Sequence, residues 1–241
     1  PYPAGVVPPR IVSLDQFRGY TVLGMFVVNF LGSFTVTPAL LKHHDTYFSY
    51  ADSIMPQFFF AVGFAFRLTY LRRLANSGQS AVCRRFLKRN LKLILLGALM
   101  YLTGAAVGAL TGPHPPSLAG FLTRAVQEDL FQTLVHIGVT ALWIMPVIGA
   151  RPAVQLAWAC GSAGIHLALS HWFYYEWVTK VAGIDGGLLG FLTWTIPMIA
   201  GSLAHDVLAR HAEAGKAVRP LFAWGAAAMA LGYGLSCLNL V

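Results

Sequence analysis

Long apolar stretches separated by short polar or basic segments dominate the chain. They fall near residues 18–37, 48–70, 91–111, 127–147, 153–170, 187–205 and 220–240. A helix crossing the hydrocarbon of a bilayer needs about 20 such residues at about 1.5 Å each. Each stretch is close to that length, so the pattern predicts an all-α, polytopic transmembrane helix bundle of about seven spans. The fifth and seventh stretches are rich in Ala and Gly, and Gly104-Ala105-Ala106-Val107-Gly108 marks the third. Small residues let membrane helices approach closely.

Composition narrows the class. Of the 241 residues, 56% are hydrophobic and 11% are charged, against about 25% charged in soluble domains. This excludes a water-soluble globule, a disordered chain and a collagen-like repeat. Cys83, Cys160 and Cys237 are too scattered for a disulfide framework or a metal site, and no metal is expected. The formal charge of +8 is unevenly distributed. Arg72, Arg73, Arg84, Arg85, Lys88, Arg89 and Lys92 lie between the second and third stretches. Arg10, Arg18, Arg151, Arg210, Lys216 and Arg219 fall on the same side of the bundle, against Lys42, Arg124 and Lys180 on the other. Cationic loops stay in the cytoplasm, so the N-terminus is expected inside, with 38–47, 112–126 and 171–186 outside. The charge thus records topology and does not call for a nucleic-acid partner; the partner implied is the lipid bilayer. Arginines at 72–92 are also suited to gripping phosphate, although topogenesis accounts for them without a ligand. Residues 1–9 lack an initiating Met and a charged signal-peptide region, and read as a flexible, trimmed start. Residues 10–241 read as one domain, incomplete at its C-terminus because Val241 ends at the edge of a span.

Ionisable groups at membrane depth are costly and tend to face a cavity or the bundle interior. One group surrounds the start of the second stretch: His43, His44, Asp45, Asp52 and Pro56. Pro56 cannot donate to the carbonyl of Asp52 four residues back. An Asp-oriented histidine could serve there as a general base; a helix cap beside a solvated His pair would use the same residues. A second group is Glu128, Asp129, Gln132 and His136, which on one continuous helix would form a stripe about 100° wide. The stripe suits a substrate cavity, a proton path or an internal hydrogen-bond network. Asn29 and His166 read as lone interhelical hydrogen-bonding residues. The run His171 to Trp177 reads as an interfacial aromatic belt, and Gly183, Gly186, Gly187 and Gly190 as a tight turn or packing glycines.

The run Arg10, Ser13-Leu14-Asp15, Arg18-Gly19, then Met25 and Val28-Asn29 resembles the opening motif of the heparan-α-glucosaminide N-acetyltransferase family of transmembrane acyltransferases. Ala51-Asp52, Pro56, Phe58, Phe60 and Gly63 resemble its second block. Leu130-Phe131-Gln132 with Ile137, and Gly187 to Gly190 with Ala200-Gly201, are weaker echoes. The resemblance implies transfer of an acetyl group from cytoplasmic acetyl-CoA, a co-substrate, to an amine or hydroxyl of an extracytoplasmic sugar or glycan. It implies a catalytic histidine in the first outer loop, His44 or His43, with Asn29 placed beside it. Thr46 and Tyr47 give His44 the closer local match. The loop before the histidines is longer than in the family and the stretch after them shorter, so the choice stays open. Asp52 is expected to hold the acting histidine. Because acetyl-CoA is highly charged, a polar passage is required, and Asp15, Arg18, Glu128, Gln132 and His136 are assigned to it. The family's domain usually has more helices than are counted here. An inner bacterial membrane is the expected location, and a homo-oligomer is allowed but not required. The rival functions are a secondary transporter, which inverted repeats would support and none is visible, and a non-catalytic membrane scaffold.

Overall fold

The computed structural model describes residues 11–44, 48–112, 117–180, 185–211 and 214–237, and every regular element among them is helical. The N-terminal segment 1–10, Thr46, Tyr47 and Gly183 lie outside the described residues. The helices are α1 (Val12–Leu31), α2 (Tyr50–Ser77), α3 (Gln79–Thr111), α4 (Leu118–Arg124), α5 (Thr133–Ile144), α6 (Pro152–Leu169), α7 (Tyr175–Thr179), α8 (Gly190–Arg210) and α9 (Ala214–Ser236). Among the described residues, three helical stretches are long and apolar enough to cross a membrane: Tyr50–Ser77, Gln79–Thr111 and the continuous run Pro152–Thr179. Helices α1, α8 and α9 have 20, 21 and 23 residues, the length of a span. Leu23, Phe26 and Phe30 on α1, Leu95 and Leu99 on α3, and Phe222 and Trp224 on α9 point outward. Apolar side chains on that scale suit lipid, not water.

The expected fourth span, 127–147, is not one helix. Residues 125–129 form a widened turn in which the Leu130 N–H reaches back to the Ala125 carbonyl at 2.8 Å, and Gln132 is extended. Helix α5 then starts afresh at Thr133. Its exposed N-terminal donors need partners, and the Tyr101 hydroxyl accepts from the Leu134 N–H at 3.2 Å.

The core is organised around the crossing of α2 and α8. A Cβ placed on Gly63 would collide with the Met198 carbonyl, and one on Gly201 with the Phe60 carbonyl. Reciprocal glycines therefore let the two backbones touch. Phe59 stacks on Trp194 with ring centroids 4.9 Å apart, and Phe66, Tyr70, Phe86, Ile137, Ile144, Met198 and Ile199 fill the surrounding interior. Farther along the same crossing, the Arg67 guanidinium grips Asp206 through two hydrogen bonds of 3.0 and 2.9 Å and donates to the Ile148 carbonyl. Helix α5 packs between α3 and α8, α6 lies on α8, and α1 lies along α2.

Candidate active site

Ser49 begins α2 with a reciprocal cap: its N–H donates to Asp52 Oδ2 at 2.9 Å, and the Asp52 N–H donates to Ser49 Oγ at 3.3 Å. The Ser49 hydroxyl also reaches the Lys42 carbonyl at 2.7 Å, drawing the preceding loop onto the helix end. Capping uses one oxygen of Asp52 and leaves the other free. Asp52 Oδ1 meets His43 Nδ1 at 2.7 Å. A carboxylate on one imidazole nitrogen fixes the ring and its tautomer and leaves Nε2 outward. The His43 side chain is 67% exposed, so that nitrogen can meet a molecule at the mouth. His44 is turned elsewhere, with Nε2 2.7 Å from the Ala39 carbonyl.

A second carboxylate is joined to this end of α2 through Thr133, whose Oγ1 lies 3.7 Å from Met55 Sδ, one turn past Asp52. Asp185 precedes α8 in a left-handed conformation, φ 66°, which Asp tolerates better than most residues. Thr133 Oγ1 donates to its Oδ2 at 3.3 Å, and Trp194 Nε1 donates to its carbonyl at 2.9 Å. Tyr174 secures the turn that follows, since its hydroxyl donates to the Gly186 carbonyl at 2.6 Å and accepts from the Leu189 N–H at 2.8 Å. Gly186 and Gly187 have φ of 81° and 60°, so they form the tight turn expected of them. Burial pushes the Asp185 carboxyl up to about 6, opposed by the Thr133 hydroxyl and by the charge of His43. Beneath it the fully buried His136 ring and the Asp185 carbonyl flank Gly190. Neither nitrogen of His136 has a hydrogen-bond partner among the described residues.

From Asp52 a polar seam runs inward between α1 and α2. Ser53 Oγ accepts from Gln57 Nε2 at 2.9 Å, and Gln57 Oε1 lies 3.5 Å from Thr21 Oγ1. Thr21 is fully buried, and Arg18 lies one turn farther along α1. At that end Arg73 and Arg89 sit over the Phe86 ring, at 5.9 and 5.7 Å, and the charges of Arg73 and Arg18 both act on Arg89. A groove of about 660 Å³ lies along the adjoining face of α3, lined by Ser80, Ala81, Arg84, Arg85, Lys88, Arg89 and Lys92. Such a set of guanidinium and ammonium groups can hold a phosphorylated molecule. Twenty-one residues of α2 separate Asp52 from Arg73, roughly 30 Å of helix axis. The described residues contain no cluster of His, Cys, Asp and Glu that could bind a metal.

The structure brings His43 and Asp52 together and leaves other expected residues apart. Asn29 is exposed on α1, and no hydrogen bond joins it to either histidine among the described residues. Asp15 and Arg18 lie in the first turns of α1, at the basic end. The stripe of Glu128, Asp129, Gln132 and His136 does not exist as predicted, because the break at 130–132 resets the helical phase. Glu128 turns out to pair with Arg124 at 2.9 Å, whereas His136 turns into the core. The aromatic belt is also corrected in part: Trp172 is exposed, but Tyr174 is buried and braces the turn beside Asp185. Asp185 and the Ser53–Gln57–Thr21 seam were not anticipated. The signals available were an Asp-Gly-Gly turn facing an apolar helix, and the spacing of Ser53 and Gln57 by four residues on the face that carries Pro56.

Residues 10–232 match a protein family described as heparan-alpha-glucosaminide N-acetyltransferase, catalytic. An uncharacterized 39.9 kDa protein encoded in the amylase 3′ region of Bacillus acidopullulyticus is 35% identical over 99 residues. That match covers 39% of this chain and 28% of the Bacillus protein. No solved structure matches the chain.

Proposed function

The chain belongs to the heparan-alpha-glucosaminide N-acetyltransferase catalytic family, and from that premise we infer that it moves an acetyl group from acetyl-CoA to an amine or hydroxyl of a sugar or glycan across the membrane. His43 and Asp52 are the acid–base pair of this reading. The observation that carries it is the 2.7 Å contact between His43 Nδ1 and Asp52 Oδ1, at the opposite end of α2 from the arginines. That separation is close to the hydrocarbon thickness of a bilayer. In this reading the N-terminus and the basic end lie in the cytoplasm, and the chain crosses an inner bacterial membrane about seven times.

The donor's phosphates would rest on Arg84, Arg85, Lys88 and their neighbours, where charge-assisted hydrogen bonds are strongest. Its acetyl-bearing arm would follow the seam of Thr21, Gln57 and Ser53 toward the mouth. There the outward nitrogen of His43 takes a proton from the acceptor as its heteroatom attacks the thioester carbonyl, and returns it to the departing sulfur. A transient acetyl group on His43 Nε2 would use the same position. Asp52 holds the ring and stabilises its protonated form.

The test is release of free CoA from acetyl-CoA by the purified protein with a panel of amino sugars and neutral sugars. Acceptor-dependent release supports the reading. Its absence from correctly folded protein would refute it.

A further inference from the structure

The pair of His43 and Asp52 leaves Asp185 without a role, yet the fold invests heavily in that residue. It occupies a left-handed backbone conformation with φ 66°. Thr133 from α5 orients its carboxylate, Trp194 from α8 fixes its carbonyl, and Tyr174 clamps the next residue. Thr133 Oγ1 also stands 3.7 Å from Met55 Sδ, one turn past Asp52 on α2, which sets Asp185 beside the mouth, and buried His136 packs against Gly190 on the side of its carbonyl. The start of α2 and the start of α5 therefore bring two carboxylates to one region, Asp52 held on His43 and Asp185 held on Thr133.

Proton accounting gives the second carboxylate a task. An amine acceptor arrives as an ammonium ion with no free electron pair. It must lose one proton before it can attack and a second as the amide forms, but the departing sulfur takes up only one. A hydroxyl acceptor has a single proton, which can pass directly to sulfur. We propose that Asp185 is the base that takes the first proton from an ammonium acceptor, leaving His43 to carry the second from nitrogen to sulfur. The step rests on the acetyl-transfer reading above and deepens it.

In the first stage the ammonium N–H bond breaks and the proton joins the Asp185 carboxylate, leaving a neutral amine. In the second the amine nitrogen bonds to the thioester carbon and the carbon–sulfur bond breaks. The remaining acidic N–H proton moves through His43 to the sulfur, giving free CoA. Asp185 then releases its proton to water at the mouth, one for each amide formed. A carboxyl raised to about 6 is well matched to this work, since a base is most effective when its pKa lies near the working pH.

The experiment measures kcat/KM for CoA release from acetyl-CoA with glucosamine across about pH 6 to 9. Wild type is compared with Asp185→Asn, which retains the shape and tolerates the backbone, and with Thr133→Val, which removes the orienting hydroxyl. Asp185→Asn is expected to lose roughly tenfold to a hundredfold near pH 6.5. It should regain nearly all of it near pH 9, where glucosamine is already neutral. Thr133→Val should show a smaller loss with the same recovery, and His43→Ala no recovery at any pH. A profile for Asp185→Asn that superimposes on wild type, or a loss equal at every pH, would overturn the assignment while leaving acetyl transfer intact. No release by wild type would instead remove the acetyl-transfer reading, and the role of Asp185 with it.

Discussion

Asp52 shows how one side chain can serve structure and chemistry together. Oδ2 closes the cap of α2 while Oδ1 holds His43. The two readings of the sequence, a capped helix and an Asp-oriented histidine, were therefore not alternatives. What the sequence could not show was which histidine the aspartate reaches, since His43 and His44 differ by one position in a loop whose path is set by the Ser49 contact to Lys42. Asp185 carries a cost of the opposite kind. Its carboxyl titrates at about 6 against an ordinary value of 3.8. A raised acid favours the folded state at low pH, and that contribution is lost as pH rises from about 4 through about 6. Above that range the ionised, buried group is unfavourable by about 3 kcal/mol. Asp185→Asn should therefore raise the thermal unfolding temperature in detergent at pH 7.5, and the gain should vanish near pH 4. An equal change at both pH values would show that the carboxyl is not under this strain.

At the scale of elements, the crossing of α2 and α8 was not legible in the sequence. The small residues read as sites of close helix packing were those of the third, fifth and seventh stretches, yet Gly104, Gly108, Gly161 and Gly164 have open space around them, whereas Gly63 and Gly201 are the points of backbone contact. Gly201→Ala should cost about 3 kcal/mol, because the clash is with a carbonyl that cannot swing away. Gly161→Ala, with open space around it, should be neutral or slightly stabilising. Thermal unfolding of both variants in detergent checks the contrast. The Arg67–Asp206 pair ties the same two helices, and Asp206→Ala should cost about 3–5 kcal/mol by leaving a buried guanidinium unpaired. Recovery of most of that loss in an Arg67→Met, Asp206→Ala double variant would separate lost charge balance from lost packing. The fourth apolar stretch was legible only in part. A run of apolar residues signals burial, but it does not reveal that the chain leaves the helix at 130–132. The capping of Leu134 by Tyr101, a contact from α3, is what receives the new start of α5.

Over the whole molecule, two polar regions occupy opposite ends of an apolar bundle. The carboxylate–imidazole mouth lies at the start of α2, and the arginine groove lies beyond its far end. Composition and the bias of Lys and Arg made this polarity visible from the sequence. The seam that runs inward from the mouth was hidden, because Thr21, Ser53 and Gln57 are individually ordinary and align only when α1 lies on α2. Neutralising the groove with Arg84→Gln, Arg85→Gln and Lys88→Gln should raise KM for acetyl-CoA about tenfold with kcat nearly unchanged. The effect should be greatest at low salt, as expected for exposed charges. A change in kcat alone would place the phosphates elsewhere. The central claim is that His43, and not His44, performs the proton transfer at the mouth. Its most direct test is acceptor-dependent CoA release by the purified protein carrying His43→Ala or His44→Ala. The account predicts a loss of at least about a hundredfold for His43→Ala and activity near wild type for His44→Ala. The reverse pattern would contradict it.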